Sequence, residues 1–273
     1  MNGSSTPRGG LGGRLWRAAL ELLYPARCAA CDVVLERPDD LFCAGCALTL
    51  SPLVDACPRC ARPSPIARAS PSSSPSSSSS PPSRPAPCLG CLERPPRFSA
   101  AVAGFEFGGA IAEAIRRLKW GHMPELAPAL GVLLFEALRR APADFSAIDV
   151  IAPVPLHPRR LRAREFNQAA ELAAAMREAA RTRGAPLARI ALDARALERT
   201  RDTPPQTGLD ALQRRHNVLD AFGVRDPGRV RHKRVLVVDD VMTTGATADA
   251  CAAALVRAGA AAVLVLTLGR AVT

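Results

Sequence analysis

Aromatic residues are scarce: Phe, Trp and Tyr together make up 4% of the 273 residues, with a single tyrosine. So few flat side chains argue against an extensive platform for stacking bases. Long apolar runs are missing too. The most apolar N-terminal piece, RLWRAALELLYP, is interrupted by Arg17 and Glu21 and has no small-residue cleavage site after it, so it reads as a short amphipathic helix and not a secretory signal. The last apolar run, AAVLVLTL, is too short to span a bilayer. No membrane insertion is expected, and a cytoplasmic location is the default. Apart from paired cysteines the chain shows no internal repeat.

What is present starts with size and charge. The chain is long enough for one full α/β domain plus a smaller module, and 48% apolar residues support a sizeable core. The net charge is +11, and residues 152–234 hold 18 Lys/Arg against 9 Asp/Glu, so most of the excess sits there. Such a balance points to a phosphorylated or polyanionic partner.

Eight of the nine cysteines fall into four CxxC pairs: Cys28/Cys31, Cys43/Cys46, Cys57/Cys60 and Cys88/Cys91. Without a secretory signal, disulfides are the weaker explanation. Each CxxC turn offers two thiolates to one metal, and two turns complete a tetrahedral four-cysteine zinc site. Four turns therefore supply up to two structural Zn²⁺. Sequential and interleaved pairings both remain open. The ninth cysteine, Cys251, lies in an alanine-rich helical stretch and reads as a small buried residue.

The expected organisation has three parts. Residues 1–23 form a disordered or amphipathic arm, and residues 24–98 a double zinc-ribbon module. Inside that module a Ser/Pro-rich loop, 63–87, lacks the apolar surface needed to fold. Residues 99–273 carry apolar runs alternating with helical periodicity, the pattern of an α/β fold with a parallel sheet covered on both faces. FSAAVAGFEF reads as a strand, GGAIAEAIRRLKW and PELAPALGVLLFEALRR as helices, and AIDVIAPVPL as a strand ended by Pro153 and Pro155. EFNQAAELAAAMREAARTRG is a helix stopped at Gly184, and the strand VLVVDD opens a closing β-α-β unit.

The stretch VLVVDDVMTTGAT, residues 235–247, joins two opposed chemistries. A Thr/Gly loop opening a helix favours anions, through unpaired N–H groups and the helix dipole. Asp239 and Asp240 just before it would repel phosphate but accept hydrogen bonds from sugar hydroxyls. A ligand with phosphate at one end and vicinal hydroxyls at the other, such as ribose 5-phosphate, satisfies both. At the carboxyl end of a parallel strand this is also where ligands bind. Strands of many α/β folds end in Asp without touching a sugar; the TTGAT that follows favours the ligand reading.

That stretch resembles the phosphoribosyl diphosphate (PRPP) signature of type I phosphoribosyltransferases. More narrowly, LKW, DVIAPVPLHPRRLRAREFNQ, the spaced Arg199, Arg201 and Gln206, RRHNVLDAF and the four CxxC pairs resemble the ComF family of competence proteins, with an N-terminal zinc module and a phosphoribosyltransferase domain. The resemblance covers nearly the whole chain from about residue 24. It departs at one point: Glu165 stands where the family usually has glycine, in Arg-Gly-Phe-Asn-Gln. The resemblance implies that Asp239 and Asp240 hold the ribose hydroxyls, and that Thr243, Thr244, Gly245, Ala246 and Thr247 wrap the 5-phosphate. It implies that Pro153, Val154, Pro155 and Leu156 face the diphosphate, with charge from Arg162 or Arg164, and that residues 193–216 form a mobile hood. Mg²⁺ would accompany PRPP. As an enzyme it would displace diphosphate from ribose C1 with a nitrogen nucleophile that no residue identifies. The family's link to competence implies other DNA-uptake proteins as partners, and the charge excess of residues 152–234 points to single-stranded DNA. Blander readings stand beside these: Arg159, Arg160, Arg162 and Arg164 as a solvated run, Asn167 and Gln168 as cap and first turn, His157 as a turn residue.

Overall fold

In the computed structural model, residues 25–64, 86–142, 145–203, 213, 218 and 220–272 are described. The expected N-terminal arm and most of the expected Ser/Pro-rich loop lie outside them, as do Gln206, Arg214 and Arg215.

Five parallel strands make the central sheet, in the order β1–β7–β6–β2–β3. They are β1 (Ala100–Glu106), β2 (Val150–Pro153), β3 (Ala191–Leu192), β6 (Arg234–Met242) and β7 (Ala262–Arg270). A separate antiparallel pair, β4 (Glu198–Arg199) with β5 (Phe222–Gly223), lies outside it. The β-branched and leucine-rich runs of β6 and β7 occupy its centre, where both faces are covered. Strand alternation divides their side chains between two layers. Leu236, Val238, Leu264 and Leu266 enter a core shared with three helices, α3 (Gly109–Trp120), α4 (Ala127–Arg139) and α6 (Gln168–Thr182). Val235, Val237, Val263 and Val265 enter the opposite core, which takes Ala248, Cys251, Ala252 and Leu255 of α7 (Ala246–Arg257). Helices α4 and α6 touch closely at Gly131, where a Cβ would come within 2.7 Å of the Ala175 carbonyl carbon. The expected α/β class is borne out.

Two local expectations need correction. VLVVDD does not end the strand: β6 continues to Met242, because Val241 and Met242 stay in register with Gly269 and Arg270 of β7. PELAPALGVLLFEALRR is not one helix but a 3-10 turn, Pro124–Leu126, followed by α4. The arginine run after His157 has a helix of its own, α5 (Pro158–Arg164), capped by His157 Nδ1 accepting from the Arg159 N–H at 3.3 Å.

The cysteine-rich region carries two short helices, α1 (Ala44–Ala47) and α2 (Leu89–Glu93), and isolated bridges Arg27–Val34 and Ala56–Pro63. Between its two halves the chain runs antiparallel along β1: Leu53 N–H donates to Gly104 O at 3.0 Å, and Glu106 N–H to Ser51 O at 2.8 Å. Arg117 of α3 reaches the first half, donating to Cys28 O at 3.0 Å and pairing with Asp32 at 2.5 Å. No helix among the described residues is long and apolar enough to cross a membrane.

Candidate functional site

The cysteines resolve into two sets. Cys28, Cys31, Cys43 and Cys46 bring their sulfurs within 4.8 Å of one another, and Cys57, Cys60, Cys88 and Cys91 do the same. The pairing is sequential, so the interleaved alternative drops out. Cys31–Cys43 and Cys60–Cys88 sulfurs stand 3.7 Å apart. A tetrahedron of Zn–S bonds of about 2.3 Å has edges of about 3.8 Å, so the spacing fits zinc. In each set a backbone N–H donates to a sulfur of the other knuckle, from Cys43 to Cys28 Sγ at 3.4 Å and from Cys88 to Cys57 Sγ at 3.2 Å. The Cys60 thiol and the N–H groups of Cys88, Cys60 and Arg59 bring Cys57 down to about 4 against its burial. Burial pushes Cys46 upward. Sulfurs packed this closely compete for protons, a competition that one dication removes by binding all four as thiolates. The two sets are consistent with two structural zinc ions.

The second site lies at the carboxyl end of the sheet. Asp240 is 6% exposed, and its Oδ1 takes the Lys119 ammonium at 2.6 Å. Asp239 sits half-buried beside it, its Oδ1 accepting the Asp240 N–H at 2.9 Å. Desolvation, then the Asp240 charge, push the Asp239 carboxyl up to about 7. Three residues beyond β6, Gly245 takes a left-handed φ of +84° and starts α7. No side chain caps the start of α7, though Ala246 N–H leans on Thr244 Oγ1 at 3.4 Å. The first-turn N–H groups, which a helix cannot pair within itself, thus collect around Thr243–Thr247.

Across from the carboxylates stands a wall of arginines. Arg164 is half-buried; burial lowers its pKa, and the Asp240 charge acts in the opposite sense. Its guanidinium stacks on Trp120 at 5.7 Å and donates to Gln168 Oε1 at 3.2 Å. Gln168 therefore does more than start a helix. Asn167 caps α6 as expected, and its Nδ2 also donates to Val154 O at 3.0 Å, holding the loop that leaves β2. Pro153 ends that strand, Val154 donates to Val238 O at 2.9 Å, Pro155 is buried and Leu156 half-buried. Arg162 is exposed on α5, so of these two it is Arg164 that feels the Asp240 charge.

Three basic residues at this site were not singled out from the sequence as ligand-binding. Lys119 belongs to the LKW motif. Arg199 is buried enough to lower its pKa, feels Arg160 and Asp239, stacks on Phe222 at 5.3 Å and donates to Thr203 Oγ1. Arg160 donates to the carbonyl of that same Thr203. The motifs LKW and Arg-x-Arg were visible, but only the fold brings Lys119 onto Asp240 and Arg199 within electrostatic reach of Asp239.

A cleft of about 460 Å³ lies away from the carboxylates. It lies between the second cysteine set and α7, lined among others by Cys60, Arg62, Cys88, Arg94, Thr244 and Gly245. The chemistry of the carboxylates, the loop and the arginines makes the carboxylate face the better candidate ligand site.

Comparison with known proteins agrees with the cysteine-rich module. Residues 19–77 match the double zinc ribbon domain, a match that stops short of Cys88 and Cys91, which the fold adds to the second set. The chain is 32% identical over 254 residues to DNA utilization protein YhgH of Escherichia coli, covering 91% of this chain and 99% of that protein. It is 31% identical over 255 residues to the protein of the same name in Salmonella typhimurium, with 91% and 99% covered. Competence protein F of Haemophilus influenzae is 30% identical over 188 residues, 67% of this chain and 78% of that one. Likeness over nearly the full length, together with the two four-cysteine sets and the parallel α/β core, shows that the chain belongs to the ComF family, with an N-terminal zinc ribbon.

Proposed function

We propose that the protein binds PRPP through a phosphoribosyltransferase-type site and supports DNA uptake from the cytoplasm. In this reading residues 24–98 are the ribbon module and residues 99–273 the PRPP domain. The single observation that carries it is the run from Asp239 and Asp240 near the carboxyl end of β6 into the Gly245 turn and the start of α7. The carboxylates accept the ribose 2′ and 3′ hydroxyls, Thr243–Thr247 receive the 5-phosphate, and Pro153–Leu156 with Arg164 and Arg199 face the diphosphate. The chemistry suited to these charges is displacement of diphosphate from C1: carboxylates favour the cationic sugar, arginines the departing anion. Among the described residues, the groups able to hold a metal by themselves are the two cysteine sets, which suits an Mg²⁺ carried by substrate oxygens and water. When bound, it supplies further positive charge to the diphosphate. The names of the relatives, DNA utilization protein and Competence protein F, support the link to DNA.

Calorimetry with Mg²⁺ and PRPP tests this. Wild type should bind, and Asp239→Asn with Asp240→Asn should weaken binding, since each charge-assisted hydrogen bond is worth about 1.5–3 kcal/mol. Equal affinity of the two proteins would remove the ribose assignment.

A second reading, a non-catalytic single-stranded DNA binder or adaptor, draws on the charge excess of residues 152–234. Part of that charge is already engaged, in Arg181–Glu178, Arg225–Glu198 and Arg229–Asp193. A steep loss of oligonucleotide binding with salt would favour it; PRPP competing all the DNA away would reduce the basic surface to the substrate site.

A further inference from the structure

Arg270, the last residue of β7, is only 1% exposed. A buried cation must find acceptors, and among the described residues its hydrogen bonds go to backbone carbonyls. Its Nε donates to Cys60 O at 3.0 Å. Its Nη1 donates to Met242 O at 3.1 Å, to Ala271 O at 2.8 Å and to Thr243 O. One guanidinium thus joins a knuckle of the second cysteine set to the first residue of the phosphate loop.

The far end of the loop is tied to the same side. Arg97, six residues past Cys91, donates its backbone N–H to Asp249 Oδ1 at 2.6 Å and its Nη1 to Oδ2 at 3.0 Å. Asp249 lies in the first turn of α7. The segment carrying Thr244, Gly245 and Ala246 is therefore gripped before and after by chain that the second cysteine set positions. The first set is anchored elsewhere, through Arg117 on α3.

We infer that Arg270 is a positioning residue for the phosphate loop, and that zinc in the Cys57–Cys60–Cys88–Cys91 set regulates the loop through it. With metal bound, the Cys60 knuckle is fixed and its carbonyl holds the Arg270 guanidinium where it can order Thr243. Metal loss frees the knuckle, and Thr243–Ala246 lose a shared support. The effect on ligand affinity rests on the PRPP reading above; the effect on loop order does not.

The full-length protein is compared with three variants: Arg270→Met, Cys88→Ser with Cys91→Ser, and Cys43→Ser with Cys46→Ser. Zinc content, amide exchange over residues 241–250 and affinity for Mg²⁺–PRPP are measured on each. Arg270→Met should keep two zinc ions, yet exchange at least tenfold faster over 241–250 and bind PRPP at least tenfold more weakly. Emptying the second set should match it, while emptying the first should leave loop exchange at the wild-type rate. Arg270→Lys should recover part of the protection, which a purely structural loss would not predict. If Arg270→Met does not fold, stepwise chelation of wild type replaces it, and loop exchange should rise with release of the second-set metal. Loop exchange unchanged by losing Arg270 or the second metal would overturn the inference, as would an equal response to emptying the first set. A wild type that ignores PRPP while its loop still responds to the second metal would remove the PRPP reading and leave the coupling standing.

Discussion

Lys119 and Asp240 meet at 2.6 Å, with side chains 18% and 9% exposed, one from the last turn of α3 and the other from β6. The pair explains how two adjacent carboxylates are tolerated near the carboxyl end of a central strand: the charge of one of them is balanced within the fold. Removing one partner of such a pair leaves a charge stranded in low dielectric, a cost of about 3 kcal/mol or more. Lys119→Met should lower stability by about that amount in denaturant melts. Lys119→Met combined with Asp240→Asn should recover much of it, and additive losses in the cycle would show that the two residues do not act as a pair.

Asp239 gives a pH signature. Its carboxyl is raised to about 7 by burial and the Asp240 charge, so the folded state holds a proton that the unfolded chain releases near 4. The wild type is therefore penalised increasingly as pH rises from about 4 to about 7, and by a constant amount above that. Asp239→Asn removes the penalty. Its melting temperature should exceed that of wild type at pH 8 and converge with it below pH 4. A gain of equal size at both ends would mean that the carboxyl is not desolvated.

Metal content should be two zinc ions per chain by elemental analysis of the reduced protein. Cys57→Ser with Cys60→Ser should lose one and unfold that half of the ribbon, because structural zinc contributes directly to folding. A zinc-free preparation that keeps its native melting curve would contradict this.

Glu165 sits at φ +66°, directly after α5. That is left-handed backbone, which favours glycine, and a side chain there costs about 1–2 kcal/mol. Part of this is offset by the greater unfolded-state freedom of glycine. Glu165→Gly should therefore raise stability by about 0.5–1 kcal/mol in urea titrations, and a clear loss would show that Glu165 makes a compensating contact.

What could be read from the sequence follows the range of the forces involved. Periodicity located α3, α6, α7 and strands β1, β2, β6 and β7, because each buries a regular face of its own residues; the two-residue strands β3, β4 and β5 are too short to show a period. CxxC spacing identified the zinc ligands, since two thiolates in one turn are a local fact; which turns share a metal is not, and only the fold makes the pairing sequential. Asp239, Asp240 and the Gly245 turn were legible as one short segment. Lys119, Arg160 and Arg199 were not assigned to the site because their partners lie far away in sequence, as with the 121 positions separating Lys119 from Asp240. The end of β6 was misplaced for a similar reason. Carboxylates signal a strand's end locally, while pairing with Gly269 and Arg270 prolongs it.

The chain segment around Ser51–Leu53, lying antiparallel on β1, also bears on solubility. β1 is an outer strand of the sheet, and its unpaired N–H and C=O groups would form a template for another molecule. Ser51 and Leu53 occupy Glu106 and Gly104 instead. At the opposite border β3 is two residues long, too short to recruit a neighbour effectively. The ribbon thus acts as a built-in guard against edge-to-edge aggregation, and a chelator that loosens it would drive the protein toward β-rich precipitates before the α/β core itself melts.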